Sequence, residues 1–266
     1  MVGIVILLHG SGGSADFAIR ADTMRVMDTL QKAGYGFFAT SSTQRSQPRR
    51  WDPRTLDLSD NPDLLRLQRL YKKIVRDKEL SADFPLFTMG MSNGANMATT
   101  VGYVFHQIGY PIKAVAPYMG GFAQSIIEAG DYDLPTFLVL AENDTLVNNA
   151  RLETIYQTLK REGKAIERHM AREQQLDRPW LESYGVNDVN RAMKFLQDKN
   201  YIDSAGNRRI TFDVIEQKGR EVFDFPELQD DAYAVRNAVM AAWAFHKMRS
   251  DYRDQQLQFF EKFRQQ

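Results

Sequence analysis

Cysteine is absent from all 266 residues. Its absence excludes disulfides, a thiol nucleophile and thiolate metal ligands. It does not decide the compartment, because a cytosolic protein and a mature secreted protein without cysteine read alike. An excess of either charge is also missing. Thirty-four Lys and Arg balance 34 Asp and Glu, so no global field draws the chain to nucleic acid or to an anionic membrane. No apolar run approaches the roughly 20 residues that span a bilayer. Met1 leads straight into a strand pattern, with no signal peptide ahead of it. The expectation is a cytoplasmic protein with no nucleic-acid partner and no integral membrane segment. Histidine is scarce, and the four present (His9, His106, His169, His246) form no ligand pair at helical spacing. That argues against a zinc hydrolase. No metal and no organic cofactor is expected.

What is present is a sequence of short apolar runs alternating with helical patterns. Residues 2–8, VGIVILL, are continuously apolar. A strand buried on both faces of a parallel sheet reads this way. The run ends in the glycine-rich loop HGSGGS, 9–14. Such a loop frees backbone N–H groups to point into a site. A helix is predicted over 16–33, with Met24, Met27 and Leu30 on one face, and a strand over 36–40. The polar loop 41–60 follows, with Arg45, Arg49, Arg50 and Trp51. Arg50 and Trp51 are candidates for binding an acidic or aromatic substrate group, against the plainer reading of a solvated loop anchored by one tryptophan. The next helix is predicted over 61–78: Asn61 caps, Pro62 fits the first turn, and Leu64, Leu67, Leu70, Tyr71 and Ile74 share a face.

The segment 85–98, PLFTMGMSNGANMA, is the centre of the chain. It reads as a buried strand, a sharp turn and a helix. Gly90, Ser92 and Gly94 spell G-x-S-x-G, a turn that holds a serine in a strained conformation at the top of a sheet. The helix that follows directs its N-terminal N–H groups and partial positive charge at any oxyanion formed there. Small residues after the turn (Ala95, Ala98, Thr99, Thr100) allow that helix to pack closely.

Further strands are predicted over 114–119, 134–141 and 166–171, with a helix over 150–162 between the last two. The alternation calls for a mostly parallel sheet with helices on both faces, an α/β fold over 1–171. Residues 172–231 are more polar, with a helix over 189–198 and a hairpin around 204–207, and read as an inserted cap. Residues 232–266 carry an alanine-rich helix ending at His246 and a last helix capped by Ser250 or Asp251, which complete the core.

A serine needs a base to become a nucleophile at neutral pH, and a carboxylate to hold that base in the right tautomer. Asp144 lies on the turn after a central strand, where an orienting carboxylate belongs. The order for this fold is serine, acid, histidine. His9 and His106 precede Asp144, which leaves His169 and His246. His169 falls inside a predicted strand. His246 is followed by a loop and a final helix with Phe259 and Phe260, and is the favoured base.

Through LLHGSGG, GMSNGANMA and VLAENDTLV the chain resembles the α/β-hydrolase superfamily. Within it, the chain is similar to small bacterial esterases of the polyhydroxybutyrate depolymerase-like and dienelactone hydrolase-like group. The resemblance implies a serine carboxylesterase: an acyl-enzyme on Ser92, a triad of Ser92, Asp144 and His246, and an oxyanion hole from the backbone N–H groups of Ser11 and Asn93. It implies a structural role for His9, and a small-molecule or polymeric ester as substrate. The family has further strands before its HG strand, and this chain starts on that strand. The rival readings are a non-catalytic ligand-binding protein on the same fold and an acyltransferase.

Overall fold

The opening apolar run is strand β1, Gly3–Leu8, buried at every position. The chain, seen in a computed structural model, is described over residues 1–44 and 46–266, with all side chains except those of Glu216 and Arg220. Arg45 of the predicted site loop thus lies outside the described residues. After β1 come α1 (Ala21–Lys32), β2 (Tyr35–Ala39), α2 (Pro62–Asp77), β3 (Leu86–Met91), α3 (Asn93–Gln107) and β4 (Ile112–Tyr118). Then follow α4 (Gln124–Ala129), β5 (Thr136–Ala141), α5 (Asn149–Arg161) and β6 (Ile166–Ala171). The strands form one six-stranded sheet in the order β2-β1-β3-β4-β5-β6. β1 pairs in parallel with β2 and β3, β3 with β4, and β4 with β5. Strand placement reverses direction after β2. Right-handed crossovers therefore put helices on both faces, and the loops after β1, β3 and β5 leave from one edge.

Local chemistry explains most boundaries. Asn61 accepts from the N–H groups of Asp63 (3.0 Å) and Leu64 (3.2 Å), and Pro62 occupies the first turn of α2. Leu64, Leu67 and Tyr71 are the stripe this helix buries. The helix predicted over 16–33 is broken. A 3-10 turn spans Ala15–Ile19, Arg20 is extended (φ −76°, ψ 142°), and α1 begins at Ala21. Phe17 and Asp22 are both buried. On one continuous helix, five residues apart, they would point about 140° from each other. The buried stripe of α1 is Thr23, Val26 and Leu30, and Met24, expected on it, is 52 % exposed.

The chain divides into two compact units. The first comprises Met1–Leu140, Val147–Met170 and Met248–Gln266; the second comprises Ala141–Leu146 and Ala171–Lys247. The second contains α6 (Arg178–Ser183), α7 (Val189–Asp198), α8 (Phe212–Lys218) and α9 (Ala232–Ala242). It has its own core, in which Val235, Val239 and Ala242 of α9 pack with Leu181, Leu196 and Phe225. The segment 172–231 lies within this unit, which runs on through α9 to Lys247, whereas sequence reasoning grouped 232–266 with the sheet. The hairpin around 204–207 is a single antiparallel bridge between Ile202 and Arg208. The first unit closes with α10, Arg253–Arg264, whose cap residue is Tyr252, without a side-chain cap. Neither Ser250 nor Asp251, the two expected caps, holds that position, and Ser250 instead donates its hydroxyl (2.7 Å) and its N–H (3.1 Å) to the buried carboxylate of Asp22.

Candidate active site

Ser92 stands between β3 and α3 at φ 60°, ψ −122°, a left-handed conformation unfavourable for a residue with a side chain. Its surroundings hold it there. Its N–H donates to the Tyr118 carbonyl (2.9 Å), and its carbonyl accepts from Ala95 (2.9 Å) and Asn96 (3.2 Å). Only glycine fits at the two flanking positions. A Cβ on Gly90 would run into the carbonyl of Gly94, and one on Gly94 into that of Leu8. This close approach of β1, β3 and α3 leaves the serine partly exposed at the carboxyl edge of the sheet. Ser92 thus stands on a sharp, strained turn between a parallel strand and a helix.

The turn after β1 lies beside it. A Cβ on Gly10 would stand 3.3 Å from Cβ and 3.9 Å from Oγ of Ser92. Within the turn, Gly12 N–H donates to the Arg49 carbonyl (2.7 Å) and Gly13 N–H to that of Gly10 (3.0 Å). Among the described residues, the N–H groups of Ser11 and Asn93 find no acceptor in the protein. His9 is buried, with both ring nitrogens in use. Nδ1 donates to the Gly10 carbonyl (2.7 Å), and Nε2 accepts from Ser42 N–H (3.1 Å). Burial lowers its pKa, which agrees with the neutral tautomer these partners require. It is a scaffold for the turn.

The loop between β2 and α2 packs against both features. Asp63 at the start of α2 accepts from Thr43 (2.6 Å) and Asp52 (3.1 Å), which ties the beginning and the middle of the loop to the helix. Trp51, one of the two candidate substrate contacts, is only 3 % exposed. Its indole N–H donates to the His9 carbonyl (2.8 Å), and its ring lies 4.8 Å from the His9 ring. Trp51 is therefore an internal anchor, and the substrate-binding reading is corrected. Sequence could not decide this, because His9 and the second partner, Asn93 Oδ1, which accepts from Trp51 N–H (2.7 Å), each lie 42 positions away. Arg50 is exposed on the loop surface.

In the second unit, Asp144 and His246 are brought together across 102 positions. His246 Nδ1 lies 2.7 Å from Asp144 Oδ2. The carboxylate side chain is fully buried and the imidazole 9 % exposed. Asp144 Oδ1 accepts from Leu146 N–H (2.9 Å). A carboxylate held this way keeps a proton on Nδ1 and the lone pair on Nε2. Asn143, whose role has no signal in the sequence, links the stretch after β5 to the stretch after α9. Its N–H donates to the Ala244 carbonyl (3.1 Å). Its side-chain amide donates to the Trp243 carbonyl (2.8 Å) and to Glu173 (3.0 Å).

The remaining histidines have other settings. His169 is stacked on Phe137 (4.4 Å between centroids) and tilted against Tyr252 (4.8 Å). Its Nε2 lies 3.4 Å from Glu167, and burial lowers its pKa. His106 lies on the surface, 3.8 Å from Asp133.

No family model matches the chain, and no curated protein matches it in sequence. Among solved structures it is similar to esterase PE8, at 18 % identity over 74 % of this chain and 92 % of that chain, with a TM-score of 0.49. It is similar to the Pyrococcus furiosus esterase Pf2001, at 18 % identity over 74 % and 83 %, with a TM-score of 0.45. It is also similar to the Bacillus cereus carboxylesterase, at 15 % identity over 74 % and 88 %, with a TM-score of 0.43.

Proposed function

We propose that the protein is a serine carboxylesterase, with Ser92 as nucleophile, His246 as general base and Asp144 as the orienting acid. The observation that carries this reading is the strained Ser92 elbow with the glycine turn after β1 packed against it, the N–H groups of Asn93 and Ser11 having no acceptor among the described residues. The buried Asp144–His246 pair supports it with a base held in one tautomer.

The chemistry runs in two halves. Ser92 Oγ attacks the ester carbonyl carbon as its proton passes to Nε2 of His246. The carbonyl oxygen becomes an oxyanion that accepts from the N–H groups of Ser11 and Asn93. Asp144 stabilises the imidazolium without taking its proton. The tetrahedral intermediate collapses, the proton on Nε2 goes to the departing alcohol, and the acyl group stays on Ser92 as an ester. Water then repeats the sequence. It gives a proton to Nε2, attacks the acyl carbon and releases the carboxylic acid, and Ser92 recovers its proton. Substrates are small or polymeric esters. Fixed donors account for much of the barrier reduction, since the loss of one typically costs about 100- to 1,000-fold in kcat.

The test is intact and peptide mass spectrometry after treatment with a reactive fluorophosphonate, alongside turnover of a short-chain p-nitrophenyl ester. The expected result is one adduct, on Ser92, with loss of both adduct and turnover in Ser92→Ala. A folded Ser92→Ala variant that still hydrolyses the ester would overturn the assignment.

A further inference from the structure

The N–H groups of Asn93 and Ser11 belong to different pieces of chain: one opens the first turn of α3, and the other lies in the turn after β1. That turn contains Gly10, Gly12 and Gly13, and has little stiffness of its own. An oxyanion site works only if its donors are fixed before charge develops. What fixes them is the segment Arg49–Trp51, which bonds to both pieces. On one side, the Arg49 carbonyl accepts from Gly12 N–H (2.7 Å), and the Trp51 indole donates to the His9 carbonyl (2.8 Å). On the other, the Asn93 side chain grips the Trp51 backbone. Asn93 Oδ1 accepts from Trp51 N–H (2.7 Å), and its Nδ2 donates to the Trp51 carbonyl (3.3 Å). The indole is buried against the His9 ring, so the link is shielded from competing water.

We infer that Trp51 is a positioning residue, which sets the separation of the Ser11 and Asn93 N–H donors by tying the turn after β1 to the serine elbow through the Asn93 side chain. The inference rests on the esterase reading above. It gives Asn93 two tasks: its backbone N–H faces the oxyanion, and its side chain registers the opposite donor.

Trp51→Phe removes the indole donor and keeps an aromatic ring against His9. Asn93→Ala removes the amide clamp and keeps the backbone N–H. In each, kcat for a p-nitrophenyl ester is expected to fall roughly 10- to 100-fold with KM within about threefold, the pattern of an interaction made in the transition state. Affinity for a trifluoromethyl ketone, whose hemiketal oxygen takes the oxyanion's place, should fall in step with kcat/KM. Affinity for the product carboxylate should hold. Amide hydrogen exchange in the peptide covering 9–13 should accelerate. Two folded variants that keep wild-type kcat, ketone affinity and exchange would overturn the inference, as would a lowered Tm with unchanged kcat and ketone affinity. If the wild-type protein neither turns over the ester nor reacts with the ketone, the esterase reading itself falls and the inference falls with it. If the wild type does both and the variants match it, only the inference is lost.

Discussion

His169 and His246 both follow Asp144 in the chain, and their settings differ in kind. His169 lies between Phe137 and Tyr252 on β6, its Nε2 buried and without a hydrogen-bond acceptor or donor among the described residues. Around it, burial disfavours the charged form more than Glu167 favours it. His246 has one nitrogen committed to a buried carboxylate at 2.7 Å, and its side chain is 9 % exposed. The comparison teaches what a general base requires. One nitrogen must be held so that the tautomer is fixed, and the cation that forms must have a countercharge in place. His169 has Glu167 at 3.4 Å but no hydrogen bond on Nε2 to fix its tautomer.

The comparison is broken most directly by exchanging the roles. His246→Ala should lower kcat/KM by about 10⁴- to 10⁶-fold, as the loss of a triad base does elsewhere. His169→Phe should change it less than about threefold, because no transition-state contact is lost. Steady-state kinetics on a p-nitrophenyl ester checks both, and the reverse ranking would move the base to His169. Asp144→Asn should cost about 10⁴-fold in kcat, because an amide permits the wrong imidazole tautomer. Wild-type activity in that variant would remove Asp144 from the mechanism. Asn143→Ala sharpens the comparison further. It deletes the side-chain bonds to Trp243 and Glu173 that help align the acid strip with the histidine strip, and leaves both groups chemically intact. A fall in kcat of roughly 10- to 100-fold with little change in KM is the expected sign of misalignment.

The smallest effect concerns stability. His9 and His169 have pKa values lowered by burial in the folded state. The unfolded chain then takes up protons more readily than the folded one as pH falls through about 6.5. The stabilisation tied to these two neutral rings is fully present above that pH and is lost as the pH falls below it. Thermal melts at pH 7.5 and 5.5 should show a drop in Tm that is smaller in His169→Phe, where a phenyl ring keeps the stack on Phe137 and Tyr252. An equal drop in the variant would assign the acid sensitivity elsewhere.

How much of this was legible in the sequence follows from the range of the interactions. β1 could be read because a strand buried on both faces is apolar throughout, and α2 because Asn61, Pro62 and the leucine repeat are local signals. The elbow was legible because close approach demands glycine at both 90 and 94. The break at Arg20 was not, because the Asp22 carboxylate beside it is buried against Ser250, 228 positions on. The same bond removed Ser250 as a helix cap. Trp51 read as a possible substrate contact because an indole beside arginines has two meanings, and only its N–H on the His9 carbonyl separates them. Asn143 carried no signal, since an asparagine after a strand is ordinary turn chemistry until its partners 100 positions away are known.

The short strip Ala141–Leu146 is continuous with β5 in sequence, yet it belongs to the second unit together with Ala171–Lys247. This bears on inheritance. A recombination event that exchanged only 171–247 for another insertion would leave Asp144 facing a foreign histidine strip, with Asn143 stripped of its bonds to Ala244 and Trp243. The exchangeable module is therefore discontinuous, and a graft that keeps the acid and histidine in register must move both stretches at once.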